Sequence, residues 1–158
     1  TSPGSRPRGS GRCEMATVAS RRDVRFVADI AADLTDMVVA RDALASALHD
    51  CAWNEEDAFR VLICADEAMA NALVHGSGPA GVVGVRFRVD ATAAAVAIGD
   101  EHGAGETISH TTELPAPSEE HGRGLILMRA LADAFRIHRH PGGTTVGLVF
   151  RTASAGEF

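Results

Sequence analysis

The chain has 158 residues, 46% of them hydrophobic and 23% charged, which is enough for one globular domain with a two-layer core. All fifteen basic residues are arginine, and this excludes a Walker A phosphate loop and a pyridoxal phosphate enzyme, because both need a lysine. The formal charge is −6, with +4 on residues 1–22 and hence −10 on residues 23–158, which argues against nucleic acid as the main partner.

Residues 1–22 are rich in Gly, Ser, Pro and Arg, and we expect a disordered basic arm there, followed by one domain at 23–151 and a tail at 152–158. Alternating apolar residues over 24–30 predict an edge strand. Helical spacing across about 33–50 predicts the first helix. Its apolar stripe is Leu34, Met37, Val38, Leu44 and Leu48.

A second helix is predicted over about 55–75, with Asn54 as its N-cap and Gly76 as its stop. Its predicted apolar stripe is Phe59, Leu62, Ala65, Met69, Ala72 and Leu73. Another side of this helix carries Glu67, Asn71 and His75, each four residues after the last. Polar groups beside a buried face are costly unless they bind something, although a solvated helix edge is the alternative interpretation.

The second half of the chain contains two predicted hairpins. Residues 83–89 and 93–98 form the first, with the second of these strands apolar enough to be central. A loop without periodicity follows at 106–121, and then a helix over about 124–134. The last hairpin joins 135–138 to 145–150. About five strands and three helices on one face indicate an α+β two-layer sandwich.

Three stretches that contain glycine stand between these elements. Their sequences are Asp100-Glu101-His102-Gly103-Ala104-Gly105, His121-Gly122-Arg123-Gly124-Leu125 and Gly142-Gly143-Thr144-Thr145. The second opens a helix, so that unpaired N–H groups and the positive end of the helix dipole favour a phosphate there. Arg123 could add a planar pair of donors, and a flexible joint with a solvated charge is the alternative.

The helix segment 66–76 and these three stretches, in this order and at these separations, resemble the N box, the two glycine boxes and the final Gly-Thr element of the GHKL ATPase superfamily. The short, proline-containing segment at 106–120 is most similar to the anti-sigma-factor serine kinases, the RsbW-like branch. The resemblance covers about residues 24–150. It implies the Bergerat fold, a two-layer α/β sandwich with a mixed, mainly antiparallel five-stranded sheet.

The resemblance also implies that the chain binds ATP and Mg²⁺. Asn71 would coordinate the metal, and Glu67 would orient or deprotonate the attacking group. Asp100 would accept a hydrogen bond from adenine, with Glu101 as the alternative acid, because His102 stands where the family usually has a glycine. The other expected nucleotide contacts are His75, Gly103, Gly105, Gly122, Arg123, Gly124, Leu125 and Thr144, with Thr145 as the alternative to Thr144.

The function implied by the resemblance is an ATP-dependent serine kinase that phosphorylates an anti-anti-sigma (STAS-type) protein and sequesters a sigma factor. Two alternatives stay open: a catalytically weak or inactive binding module, and a kinase-like domain of a larger regulator that carries a phosphatase. A homodimer is a further candidate assembly.

Cysteine usage and hydropathy bear on the compartment. The three cysteines form no CxxC pair, and Cys64 lies among apolar residues, so we expect a buried free thiol in a reducing environment. No apolar run reaches the ~18 residues of a spanning helix, and no signal core follows the basic N-terminus. We therefore expect a cytoplasmic protein without direct contact with a membrane.

Overall fold

The computed structural model describes residues 23–31, 33–76, 81–100, 123–141 and 143–153. The strands in this part of the chain are β1 (Val24–Ala31), β2 (Val82–Val89), β3 (Ala93–Asp100), β4 (Ala134–His140) and β5 (Gly143–Arg151). The helices are α1 (Leu34–Asp50), α2 (Glu55–Asn71) and α3 (Arg123–Leu131), and a π-helical turn, Ala72–Gly76, continues α2. The predicted α+β sandwich is confirmed.

The sheet has the order β1-β2-β3-β5-β4, which confirms β1 as an edge strand and β3 as the central one. All four pairings between the described strands are antiparallel, and in this part of the chain the expectation of a mixed sheet is wrong. Two helices separate β1 from β2, and they return the chain so that β2 runs against β1. Strands β3 and β4 do run in the same direction, but β5 lies between them.

The helices cover one face of the sheet. Alternate strand residues point toward them, for example Val96, Ile98 and Leu148, which are at most 3% exposed. The other strand positions form the opposite face of the sheet, which we call the open face. None of the described helices is long and apolar enough to cross a membrane.

The buried stripes of α1 and α2 match the predicted ones in part. The predicted residues that are buried are Met37, Leu44 and Leu48 on α1 and Ala65, Met69 and Ala72 in the α2 segment. Leu34 and Val38 are 72% and 55% exposed, and so is Phe59 at 62%, whereas Ala40 and Ala47 are buried. The buried stripe of α2 contains Val61, Cys64, Ala65, Ala68 and Met69. Alanines such as Ala40, Ala47 and Ala68 join the predicted residues in these stripes, so the buried face of each helix is shifted from the predicted one.

The expected buried free thiol at Cys64 is confirmed, and burial raises its pKa to about 11. Cys13 lies outside the described residues.

Two helix ends also differ from the predicted bounds. The α-helical part of α2 ends at Asn71 rather than near residue 75, and the π-helical turn completes the segment. Helix α3 ends at Leu131 rather than at residue 134. The N–H of Asp133 already donates to the carbonyl of Val149 at 2.9 Å, so pairing with β5 has taken over from the helix. The predicted cap is present, since Asn54 Oδ1 accepts from the N–H of Asp57 at 2.8 Å.

Candidate active site

Glu67 and Asn71 lie one turn apart on α2, half-buried, and both face the beginning of α3. Gly124, at the second position of α3, is buried against them. A Cβ atom on Gly124 would collide with the Glu67 carboxylate and would lie 3.5 Å from Asn71 Nδ2. The missing side chain at Gly124 therefore lets α3 begin directly beside an acid and an amide.

The start of α3 supplies backbone hydrogen-bond donors beside Glu67 and Asn71. A helix leaves its first N–H groups without intrahelical partners, and its dipole makes that end positive. Arg123 occupies the first helical position and is exposed, and Leu125 is half-buried against the core. Gly122 lies outside the described residues. The described part of the loop-to-helix junction is thus suited to an anionic ligand.

A second group of predicted residues meets where β3 ends. Asp100 is buried on the helix side of the sheet, and its Oδ1 accepts from the backbone N–H of Thr144 at 3.2 Å. The predicted contact near this carboxylate thus comes from the backbone of Thr144. Thr145, the alternative, points to the open face, where its Oγ1 lies 3.3 Å from His140 Nε2.

Sequence reasoning missed Gly143 as a site residue. Its φ is +146°, and a Cβ there would lie 2.6 Å from Asp100 Oδ1 and collide with the Asp100 backbone carbonyl. Only glycine fits at such a position. The signal was the Gly142-Gly143 pair ahead of Thr144, which we interpreted as a hairpin turn and as part of the final Gly-Thr element, without expecting a contact of Gly143 with Asp100.

The π-helical turn links the two groups, because it continues α2 from Asn71 and packs against β3. Turns of this kind widen a helix and are frequent at functional sites. His75 belongs to this turn. The remaining predicted contacts, Glu101, Gly103 and Gly105, lie outside the described residues. Glu67, Asn71 and Gly124 are therefore brought together, and so are Asp100 and Thr144.

The Asn71 side chain offers a carboxamide oxygen, which is the hard type of ligand that Mg²⁺ prefers. Mg²⁺ also keeps several waters as ligands. Among the described residues, no three His, Cys, Asp or Glu side chains cluster as a metal site. A magnesium ion would therefore take the Asn71 carboxamide oxygen together with waters and phosphate oxygens. Its contribution when bound would be to neutralise charge on a triphosphate.

The sequence model of the family described as "Histidine kinase-like ATPase domain" matches residues 30–150. The chain belongs to this family. Membership makes it an ATP-binding domain of the GHKL type and confirms the predicted superfamily. A comparison with curated proteins gives no match.

Two solved structures are similar to this family member. The RsbU and RsbW domains of Rv1364c from Mycobacterium tuberculosis align with a TM-score of 0.58 and 20% identity, over 82% of this chain and 32% of that one. The histidine kinase domain of the Erythrobacter litoralis EL346 blue-light activated histidine kinase aligns with a TM-score of 0.49 and 19% identity, over 81% and 67%. The chain thus spans about a third of the Rv1364c structure, and that likeness concerns the fold.

Proposed function

We propose that this ATPase domain is a serine kinase of the anti-sigma-factor type, which phosphorylates an anti-anti-sigma (STAS-type) protein and sequesters a sigma factor. The observation that carries the proposal is the position of Glu67 and Asn71 directly beside Gly124, where a side chain on Gly124 would collide with Glu67. It puts a proton acceptor and a metal-binding amide beside a helix start that can receive phosphates. The fold it shares with a structure containing an RsbW domain supports the same branch.

The proposed reaction follows from these positions. A serine hydroxyl of the partner attacks the γ-phosphorus of ATP, and its proton passes to the Glu67 carboxylate. A new bond forms between the serine oxygen and phosphorus, while the bond from phosphorus to the bridging oxygen breaks. ADP leaves with that electron pair. The first N–H groups of α3 stabilise the charge on the phosphate oxygens, so that catalysis depends mostly on positioning and charge neutralisation.

The test is transfer of labelled γ-phosphate from ATP, with Mg²⁺, to the cognate STAS-type antagonist. We expect the antagonist to be labelled on serine, and Glu67→Gln to lower the rate by roughly 10²–10⁴-fold. Asp66→Asn is the matched control, because Asp66 is the adjacent carboxylate but binds Arg41 at 3.0 Å instead. Equal rates for Glu67→Gln and the parent would refute the role of Glu67, and no labelling by the parent would refute the kinase.

A weak or inactive binding module is the second candidate. Its support is His102, which occupies a position where the resemblance calls for glycine next to the adenine acid. The third candidate is one domain of a larger regulator. Its support is that the similar Rv1364c structure contains an RsbU domain beside its RsbW domain. Sequencing the reading frame on both sides of residues 1–158 distinguishes the third candidate from the other two.

A further inference from the structure

Helices α2 and α3 come together at both ends of α3. At the beginning of α3, Gly124 lies beside Glu67 and Asn71. At the other end, Nη1 of Arg60 donates to the backbone carbonyl of Leu131, the last residue of α3, at 2.9 Å. The Arg60 side chain is only 25% exposed. The two helices therefore run antiparallel, and one side of α2 meets both ends of α3.

The two contacts have the same spacing on both helices. Glu67 comes seven positions after Arg60 on α2, and Leu131 comes seven positions after Gly124 on α3. At 1.5 Å per residue, each interval is about 10 Å long. Because the intervals match, the bond to Leu131 fixes how far along α2 the first turn of α3 lies. A slip of α3 by one residue would move its first N–H groups by about 1.5 Å relative to Glu67.

Arg60 is itself held in place by groups outside α3. Its Nη2 donates to Asp57 Oδ1 at 2.9 Å and to the carbonyl of Arg151, the last residue of β5, at 3.0 Å. Asp57 is buried, and its other carboxylate oxygen accepts from the N–H of Ala153 at 3.1 Å. A planar guanidinium bound to three acceptors has little freedom to turn. The carbonyl of Leu131 is therefore tied to a point that α2 shares with the end of the sheet.

We propose that Arg60 is a positioning residue for nucleotide binding, which holds α3 where its first N–H groups can receive phosphate. Arg60 lies about 10 Å along α2 from Glu67, so it acts on the phosphate through the backbone of α3 and not by contact. A positive charge beside the last carbonyls of α3 also stabilises that helix, but this effect alone does not set where the helix begins. The inference rests on the proposed phosphate site at the start of α3, and it does not require phosphate transfer.

Two other roles of Arg60 lead to different expectations. If Arg60 only stabilised the fold, nucleotide affinity would fall in every variant that loses the same amount of stability. If Arg60 only supplied positive charge, removal of the nearby Asp57 charge would strengthen ATP binding. Asp57→Asn tests both roles, because Arg60 keeps its donation to the carbonyls of Leu131 and Arg151 in this variant.

The first experiment is isothermal titration calorimetry with ATP and Mg²⁺, at a temperature where every variant is folded. We expect Arg60→Met to raise the Kd roughly tenfold or more, the effect of losing one hydrogen bond to a charged group. Asp57→Asn should unfold more readily in urea than the parent but bind ATP within about twofold of it. Arg41→Met is the matched control, because Arg41 joins α1 to α2 through Asp66 at 3.0 Å and makes no such link to α3.

A measurement on fully bound nucleotide removes affinity and stability from the comparison. With the chain in excess over ATP and well above the Kd, the ³¹P resonances report the surroundings of the bound phosphates. These resonances should shift in Arg60→Met, because the N–H groups of α3 have moved. They should match the parent in Asp57→Asn and Arg41→Met, because α3 keeps its position in both.

Arg60→Lys keeps the inference testable if Arg60→Met does not fold. Lysine retains the charge but lacks the planar fork that reaches three acceptors, so the Kd should still rise, by less than in Arg60→Met. An unchanged Kd in Arg60→Lys would overturn the inference, as would a Kd in Asp57→Asn that rises as much as in Arg60→Met.

The same titrations separate this inference from the proposed kinase. A parent chain that binds no nucleotide would overturn the role of Arg60, because the start of α3 would then receive no phosphate. A parent chain that binds ATP but does not label its antagonist would refute only the kinase, because the comparison of Kd values does not depend on transfer.

Discussion

Gly124 occupies the second position of α3, and the space that its missing side chain leaves is filled by the Glu67 carboxylate. An alanine at this position would bring a methyl group into that space. The carboxylate is the end of a flexible side chain, so it can move aside while the helix keeps its place. Alanine is also favoured over glycine within a helix by about 1 kcal/mol. A substitution of Gly124 can therefore affect phosphate transfer without a large effect on the stability of the fold.

We predict that Gly124→Ala leaves the free energy of unfolding within about 1 kcal/mol of the parent but lowers phosphate transfer at least tenfold. Urea unfolding and the labelling assay measure the two effects on the same samples. Ala130→Ser, an exposed change on the same helix, should alter neither. Full activity in Gly124→Ala would mean that the observed position of Glu67 is not needed for transfer.

Residue spacing placed Glu67 and Asn71 on one side of a helix, because residues four apart share a side, and the family resemblance then selected them as site residues. It was not enough to select Gly143, whose close approach to Asp100 joins two strands that are far apart in the sequence. A glycine pair before a strand indicates a turn, and it does not say which side chain the turn will touch. Contacts of this kind depend on strand register, which a single sequence does not display.

Among the elements, the first turn of α2 is tied to the ends of β5 and α3 through one buried carboxylate. Asp57 is 6% exposed and accepts from the N–H of Ala153 at 3.1 Å, from Asn54 Nδ2 at 2.8 Å and from Arg60 at 2.9 Å. Arg60 also donates to the carbonyl of Leu131 at 2.9 Å. We call these residues the Asp57 cluster.

Burial by itself would raise the pKa of Asp57, yet the bonds from Ala153, Asn54 and Arg60 together hold that pKa below its ordinary value. A carboxyl group with a lowered pKa in the folded state stabilises the fold above its unfolded pKa of about 3.9, and this contribution is lost as the pH falls through the folded value.

We predict that Asp57→Asn lowers the free energy of unfolding by about 2 kcal/mol at pH 7, because it removes the charge that pairs with Arg60. The difference from the parent should begin to shrink below about pH 4, where Asp57 of the unfolded chain takes up a proton, and should disappear only below the lowered pKa of the folded state. Urea unfolding from pH 7 to pH 3 measures both. Asp66→Asn should cost under about 0.5 kcal/mol, because its pair with Arg41 is about two-fifths exposed. A gap as large at pH 3 as at pH 7 would contradict the assignment.

The spacing of apolar residues, together with caps such as Asn54, predicted where each helix and strand lies and which of the two it is. The rotation of α1 and α2 followed in part, because Ala65 and Met69 are buried as predicted whereas Phe59 is exposed. Apolar spacing did not show that alanines such as Ala40 and Ala68 would complete the buried faces.

At the scale of the whole molecule, nucleotide binding should increase the free energy of unfolding. A ligand at about 100 times its Kd adds roughly 2.7 kcal/mol, which for a domain of this size raises the Tm by roughly 5–10 °C. We predict such a shift with ATP or ADP and Mg²⁺, and loss of its Mg²⁺-dependent part in Asn71→Ala. Thermal melts with and without a chelator measure it. No shift of the parent at millimolar nucleotide would favour the binding module over the kinase.

The layer architecture could be predicted because the strands alternate and the helices are amphipathic. The place of β5 between β3 and β4 could not, and it is this insertion that makes every pairing antiparallel. Which side chains share a row of the sheet becomes known only after strand order and register are known. Side chains such as Arg86 and Gly147 are more than sixty positions apart in the chain but lie in one row.

Because the described helices all lie on one side of the sheet, Glu67, Gly124 and Asp100 belong to the helix layer or to the face beneath it. A support attached to the bare side would therefore not cover these residues. Immobilising the chain through that side should leave its nucleotide binding unchanged.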